Sequence, residues 1–258
     1  MIFNARNPLA FVILLLLTLK VHSQNEIVRT ALQLASFNKT SISELYIGSL
    51  DPKLAKKERQ TIRLSRSNLA PKIGYKGPKT FFLFENKTPS EKEKPMARVA
   101  LPHGIKSAII LLFPSKKGPF QSRGIVIDGS KEKFPQGSRY MLNVSGVSVR
   151  AETGKMPFVR GGKKNQRFIC STGKSKVVPA LDPNAENLTG HPIIIEYQNP
   201  KNEWATLAQT RWFHTPELRH LILVSRDPRT KRIQFKGLID GQADQKVVSQ
   251  KTEAVDVE

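Results

Sequence analysis

Beyond residue 23, no stretch holds an apolar repeat of 3.6 residues long enough for a helix, apart from a short candidate turn over Asp51–Arg59. Short runs rich in β-branched and aromatic side chains recur instead, bounded by Gly, Pro, Asn or Ser. In the first half they are Ile27–Leu34, Glu44–Leu50, Thr61–Leu64, Thr80–Phe84, Ala97–Leu101, Ser107–Phe113 and Ser122–Ile127. In the second they are Arg139–Val144, Val147–Ala151, Arg167–Cys170, Pro192–Tyr197, Trp204–Phe213, Leu218–Ser225 and Arg232–Ile239. The 17 prolines and 16 glycines punctuate the connections. A parallel α/β sheet needs crossover helices, and none are written here, so the pattern predicts antiparallel β-sandwiches.

An internal repeat divides the chain. Ser107–Gly129 (SAIILLFPSKKGPFQSRGIVIDG) aligns without a gap on Arg219–Gly241 (RHLILVSRDPRTKRIQFKGLIDG) at an offset of 112. Each copy is an apolar strand, a basic turn and a strand ending in Ile-Asp-Gly. Such a hairpin suits the close of a sandwich domain. The expectation is an all-β chain of two tandem Ig-like β-sandwich domains, 27–129 and 130–241, with a flexible tail over 242–258. The alignment puts Asp128 and Asp240 at equivalent strand ends, where a carboxylate caps a turn.

Residues 1–23 have the layout of a cleavable secretory signal. Arg6 precedes an apolar run of twelve, Pro8 to Leu19, and Val21-His22-Ser23 offers a cleavage end. As a helix, twelve residues rise only ~18 Å against a ~30 Å hydrocarbon core. Export is therefore expected, with no transmembrane span in the mature chain. The single cysteine, Cys170 in RFICS, excludes an intramolecular disulfide and reads as a buried core residue.

The formal net charge is +21, and still +19 without Arg6 and Lys20. Charge of this size attracts polyanions, which outside the cytoplasm are chiefly acidic envelope polymers and lipid headgroups. The lysines and arginines are dispersed, with two denser groups. Arg160, Lys163, Lys164 and Arg167 follow or flank the Gly161-Gly162 turn, and Lys56, Lys57 and Arg59 lie in Lys53–Arg66. These seven residues are the candidate polyanion contacts.

Motifs of catalysis are incomplete. Thr172-Gly173-Lys174-Ser175 ends like a phosphate-binding loop, but residue 168, where that loop needs glycine, is Phe168. His214, Glu217 and His220 lack the unbroken helix of a zinc-protease motif, since Pro216 lies between them. No G-x-S-x-G turn occurs, so a hydrolase would have to assemble from scattered residues such as His103, His191, His214 or His220. Trp204, Trp212, Tyr197 and Phe213 read as core, and the sequons at Asn38, Asn86, Asn143 and Asn187 as incidental.

The run FPQGSRYMLNVS (134–145), a valine-rich strand and Gly154 after it, the tryptophan strand and the Arg219–Val224 strand are similar in order to a recurrent pattern in exported bacterial all-β proteins, F-P-x-G-S before a strand ending in N-x-[ST]. The resemblance spans about residues 97–240. It implies an exported β protein and brings no activity, cofactor or site residue. The function expected is a non-catalytic binding or structural module of the periplasm or envelope, whose basic surface meets an anionic polymer or an acidic partner protein. No specific nucleic acid, metal or cofactor is expected. The alternatives are a subunit docking by a sheet edge and a hydrolase with an unrecognised site.

Overall fold

The computed structural model describes residues 26–37, 42–50, 59–65, 68–90, 93–115, 118–153, 167–178, 191–212, 217–227 and 230–240. These residues form sixteen strands and no helix. The chain splits into two compact units with the division between Asp128 and Gly129, and Arg66–Leu69 belongs to the second. The leader expected over 1–23, most of the candidate turn at Asp51–Arg59, and the tail at 242–258 lie outside the described residues.

The first unit contains β1 (Ile27–Ser36), β2 (Glu44–Gly48), β3 (Gln60–Arg63), β4 (Ile73–Pro78), β5 (Thr80–Phe84), β6 (Ala97–Ala100), β7 (Ser107–Pro114) and β8 (Ser122–Asp128). One sheet has the order β4-β1-β7-β8 and the other β3-β2-β5-β6. The second unit contains β9 (Arg139–Asn143), β10 (Val149–Thr153), β11 (Arg167–Cys170), β12 (Ser175–Val178), β13 (His191–Gln198), β14 (Trp204–Trp212), β15 (Arg219–Arg226) and β16 (Ile233–Asp240). Its sheets run β12-β9-β15-β16 and β11-β10-β13-β14. Counted from its own first strand, each unit has the order 4-1-7-8 over 3-2-5-6. Each also has one parallel pairing, β1 with β7 and β9 with β15, in otherwise antiparallel sheets. The repeat in sequence is thus a repeat of the whole strand order.

In each unit the two sheets enclose a shared core, so each is sandwich-like. In the first, Leu32, Leu34, Ala108, Ile110 and Leu112 from one sheet pack with Leu45, Ile62, Phe81, Leu83 and Val99 from the other. In the second, Met141, Ile222 and Val224 meet Val149, Ala151, Ile193, Ile195 and Cys170. Alternation along each strand sends these side chains inward. β7 is different: every residue of Ala108–Leu112 is fully buried, as expected of a strand covered on both faces. The Cys170 thiol lies in the core, and burial pushes its pKa up.

The hairpins of the two units differ by one residue, which overturns the gapless alignment. Ile109–Leu112 and Leu221–Val224 are all buried, so the offset of 112 holds for β7 and β15. Ile109 then pairs with Ile127, whereas Leu221 pairs with Leu238, not Ile239. The cause is the turn: Ser115 N–H bonds Gln121 O in one copy and Asp227 N–H bonds Arg232 O in the other, leaving one residue fewer between them. A slip of one residue exchanges the faces of a strand. Ile127 is therefore buried and Ile239 is 40% exposed, while Asp240 turns inward to a buried ion pair with Arg219. Asp240 is not a turn cap.

Two strands, β4 and β12, were not legible in advance. Both are the fourth strand of their unit, at a sheet edge beside β1 or β9. Their sequences, IGYKGP and SKVV, carry the lysine, glycine and proline that mark protected edges and mimic loops.

Candidate functional site

Of the seven candidate polyanion contacts, Lys56, Lys57, Arg160, Lys163 and Lys164 lie outside the described residues. The other two are occupied within the fold. Arg59 is buried, its Nη1 donating to Glu93 Oε2 at 2.6 Å and to Asn86 O at 2.8 Å, with the guanidinium 3.6 Å from the centre of the Phe84 ring. It is a core cation and presents no charge to a polymer. Arg167 is half exposed, but both Nε and Nη2 donate to Glu152 Oε2, at 3.2 and 3.0 Å. The Glu152 carboxylate cancels its charge locally.

The histidines do not gather into a catalytic set among the described residues. Exposed His103 has Nδ1 at 3.0 Å from Glu26 Oε1, and Lys79 Nζ lies 3.4 Å from the other oxygen. Against a desolvation that raises it, Lys79, and after it His103, hold the Glu26 carboxyl below its ordinary pKa. His220 lies mostly inside the second unit, paired in register with Arg139. Burial, and then the Arg139 charge, push its pKa down. Burial also lowers the Arg139 guanidinium to about 10, and the Trp212 ring lies 4.8 Å below it. His214 is outside the described residues. Among the described residues, no group of three potential ligands stands close enough to hold a metal ion.

Two concavities gather cations that sequence reasoning missed. The first, about 420 Å³, lies on the edge of the first unit between β1 and β4, lined by Arg29, Tyr75, Lys76 and Lys106. Arg29 and Lys76 are direct cross-strand partners. Two like charges in that position repel unless an anion lies between them.

The second, about 470 Å³, lies at one end of the second sandwich, where the β13–β14 and β15–β16 hairpins meet the loop after β9. Tyr197, Leu207 and Ile233 make its floor, packed on the core. Arg226, Lys231 and Arg232 make its rim. The two hairpins share their chemistry. Asn199 Oδ1 accepts from Lys201 N and Glu203 N, and Asp227 Oδ1 accepts from Thr230 N, both being side-chain turns. Each turn also has a non-glycine residue in the left-handed region, Asn202 at φ 62° and Lys231 at φ 61°. The corresponding hairpin of the first unit has Gly118 at φ 90°.

The third wall, at Val147, is fixed by Asn143. Its Nδ2 donates to Val147 O and Cys170 O, both at 2.7 Å, and its Oδ1 accepts from Ser145 N and Oγ at 3.1 and 2.7 Å. Arg226 Nε then donates to Ser145 O at 3.1 Å, and its Nη1 to Lys231 O at 2.9 Å. Arg226 is thus anchored through backbone carbonyls, which carry no net charge to offset its own. Among the described residues, no carboxylate pairs with Arg226, Lys231, Arg232, Arg29, Lys76 or Lys106.

No protein-family model matches this chain, and a search of curated proteins found no match. Its chemistry has to be argued from its own residues.

Proposed function

We propose that this chain is an exported, non-catalytic module of the periplasm or cell envelope, built of two Ig-like sandwiches, that binds an anionic envelope polymer or acidic partner through basic surface. The Ig likeness is one of layering and size. The strand order 4-1-7-8 over 3-2-5-6 departs from the ABED and CFG sheets of immunoglobulin domains.

One observation carries the reading. Among the described residues, the buried guanidinium groups of Arg59 and Arg219 are matched to Glu93 and Asp240, whereas the basic side chains around both concavities meet no carboxylate. The chain has 42 basic and 21 acidic residues, and among the described residues no acid pairs with a cation of either rim. The leader-like residues 1–23 and the resemblance to exported β proteins supply the location. The test is retention of the chain from residue 24 onward by lipopolysaccharide, acidic glycans and DNA across a salt titration. Attraction at low salt is general for a basic protein. Selective retention of one polymer near 0.15 M salt, where the Debye length is ~8 Å, supports the function. Loss of every polymer together by that salt counts against it.

A further inference from the structure

We propose that the concavity at the hairpin end of the second unit is a binding site for a sugar bearing a single anionic group. The sugar ring lies on Tyr197, Leu207 and Ile233, and its carboxylate or phosphate meets Arg226, Lys231 and Arg232. This rests on the reading of the chain as an anion-binding module and names the unit of the anion that is recognised.

Three observations converge on it. The volume, about 470 Å³, falls in the range of small-ligand pockets, and its floor is apolar with an aromatic wall. A pyranose has an apolar C–H face that suits such a wall, and hydroxyls that suit Thr206 and Gln198, which also line the site. The rim holds two guanidinium groups and an ammonium, the donor set that recognises carboxylate and phosphate. The nearest carboxylates in sequence, Glu203 and Asp227, accept hydrogen bonds from Asn199 Nδ2 and Thr230 N in their own turns.

The third observation is the backbone of Lys231. A left-handed φ of 61° is strained for lysine and free for glycine. Here it is clamped on both sides: Lys231 N–H donates to Asp227 O at 2.9 Å, and Lys231 O accepts from Arg226 Nη1 at 2.9 Å. Strained residues held by their surroundings cluster at ligand sites. The first unit has glycine in its own left-handed turn, at Gly118.

The experiment is calorimetric titration of the chain at 0.15 M salt with glucuronate, glucose 6-phosphate, glucose and inorganic phosphate, up to about 10 mM, above a millimolar dissociation constant. Binding of glucuronate or of glucose 6-phosphate, at least tenfold tighter than glucose and than inorganic phosphate, is the expected result, and the better of the two names the acid. Lys231→Gly then weakens that ligand at least fivefold while Tm is unchanged or higher, since the substitution removes strain along with charge. Binding that does not distinguish anionic sugar from bare phosphate, or a Lys231→Gly variant of undiminished affinity, overturns the site. A protein that takes up none of the four yet retains a polymer at this salt also overturns the site and leaves the module intact; failure of both overturns both.

Discussion

Arg219 and Asp240 stand opposite each other on β15 and β16, each 1% exposed, with Arg219 Nε 3.0 Å from Asp240 Oδ2. The guanidinium also donates to Gly129 O at 2.7 Å and Phe134 O at 3.0 Å, and the Phe134 ring lies 4.7 Å beneath it. One buried cation therefore ties the entry of the second unit to its last strand. Removing one partner leaves the other charge buried and unmatched. Asp240→Asn is expected to destabilise the chain by about 3–5 kcal/mol in urea unfolding.

Arg59 tests the difference between a core cation and a binding cation. Arg59→Met leaves Glu93 buried without its ion-pair partner, and about 3–5 kcal/mol of stability is expected to go with it. At a temperature where the variant is still folded, its retention by polyanions matches that of the wild type.

Asn143 heads a sequon but is fully buried and satisfies both ends of its amide. Asn143→Ala takes a donor from Val147 O and Cys170 O and an acceptor from Ser145 N and Oγ, with Ser145 Oγ keeping its 3.3 Å bond to Val147 O. A loss of about 2–4 kcal/mol is expected, at about 1–3 kcal/mol for each unsatisfied buried group with partial relaxation. Urea unfolding measures it.

Gly77 is required by Tyr75. A Cβ at residue 77 would lie 2.6 Å from Tyr75 Oη, a hydroxyl fixed on Pro78 O at 2.8 Å. Gly77→Ala is expected to cost about 1–3 kcal/mol as an overpacked site. Gly237, with open space around its Cβ position, is the control, and Gly237→Ala changes the unfolding midpoint little.

His220 makes the second unit acid-sensitive. Its folded-state pKa is depressed by burial and by Arg139, so the unfolded chain takes up a proton first as the pH falls. Its contribution is present above the unfolded value of ~6.5 and is lost as pH drops through that value toward the lower folded one. Thermal melts from pH 7.5 to 5 are expected to show falling Tm, with a shallower fall in His220→Gln.

Much of this fold was written in short-range pattern. Strands such as Thr80–Phe84 and Arg167–Cys170 announce themselves because alternation and turn residues are local signals. β4 and β12 do not, because an edge strand is built to look unlike a strand. The one-residue slip between Ile127 and Ile239 was hidden because matching letters outweighed turn length in the alignment. The site was less legible still. Arg59, Arg219 and Arg226 are alike in sequence, and only their partners separate a core cation from a rim cation. The site is assembled from two hairpins about thirty residues apart in sequence.

The most direct test of anion recognition is a map of amide chemical shifts as an acidic glycan oligomer is added at 0.15 M salt. Shifts confined to Tyr197, Thr206, Lys231, Arg232 and their neighbours, or to these and the Arg29–Lys76 edge, are the predicted result. Small shifts scattered over dispersed lysines, fading together as salt rises, would contradict it.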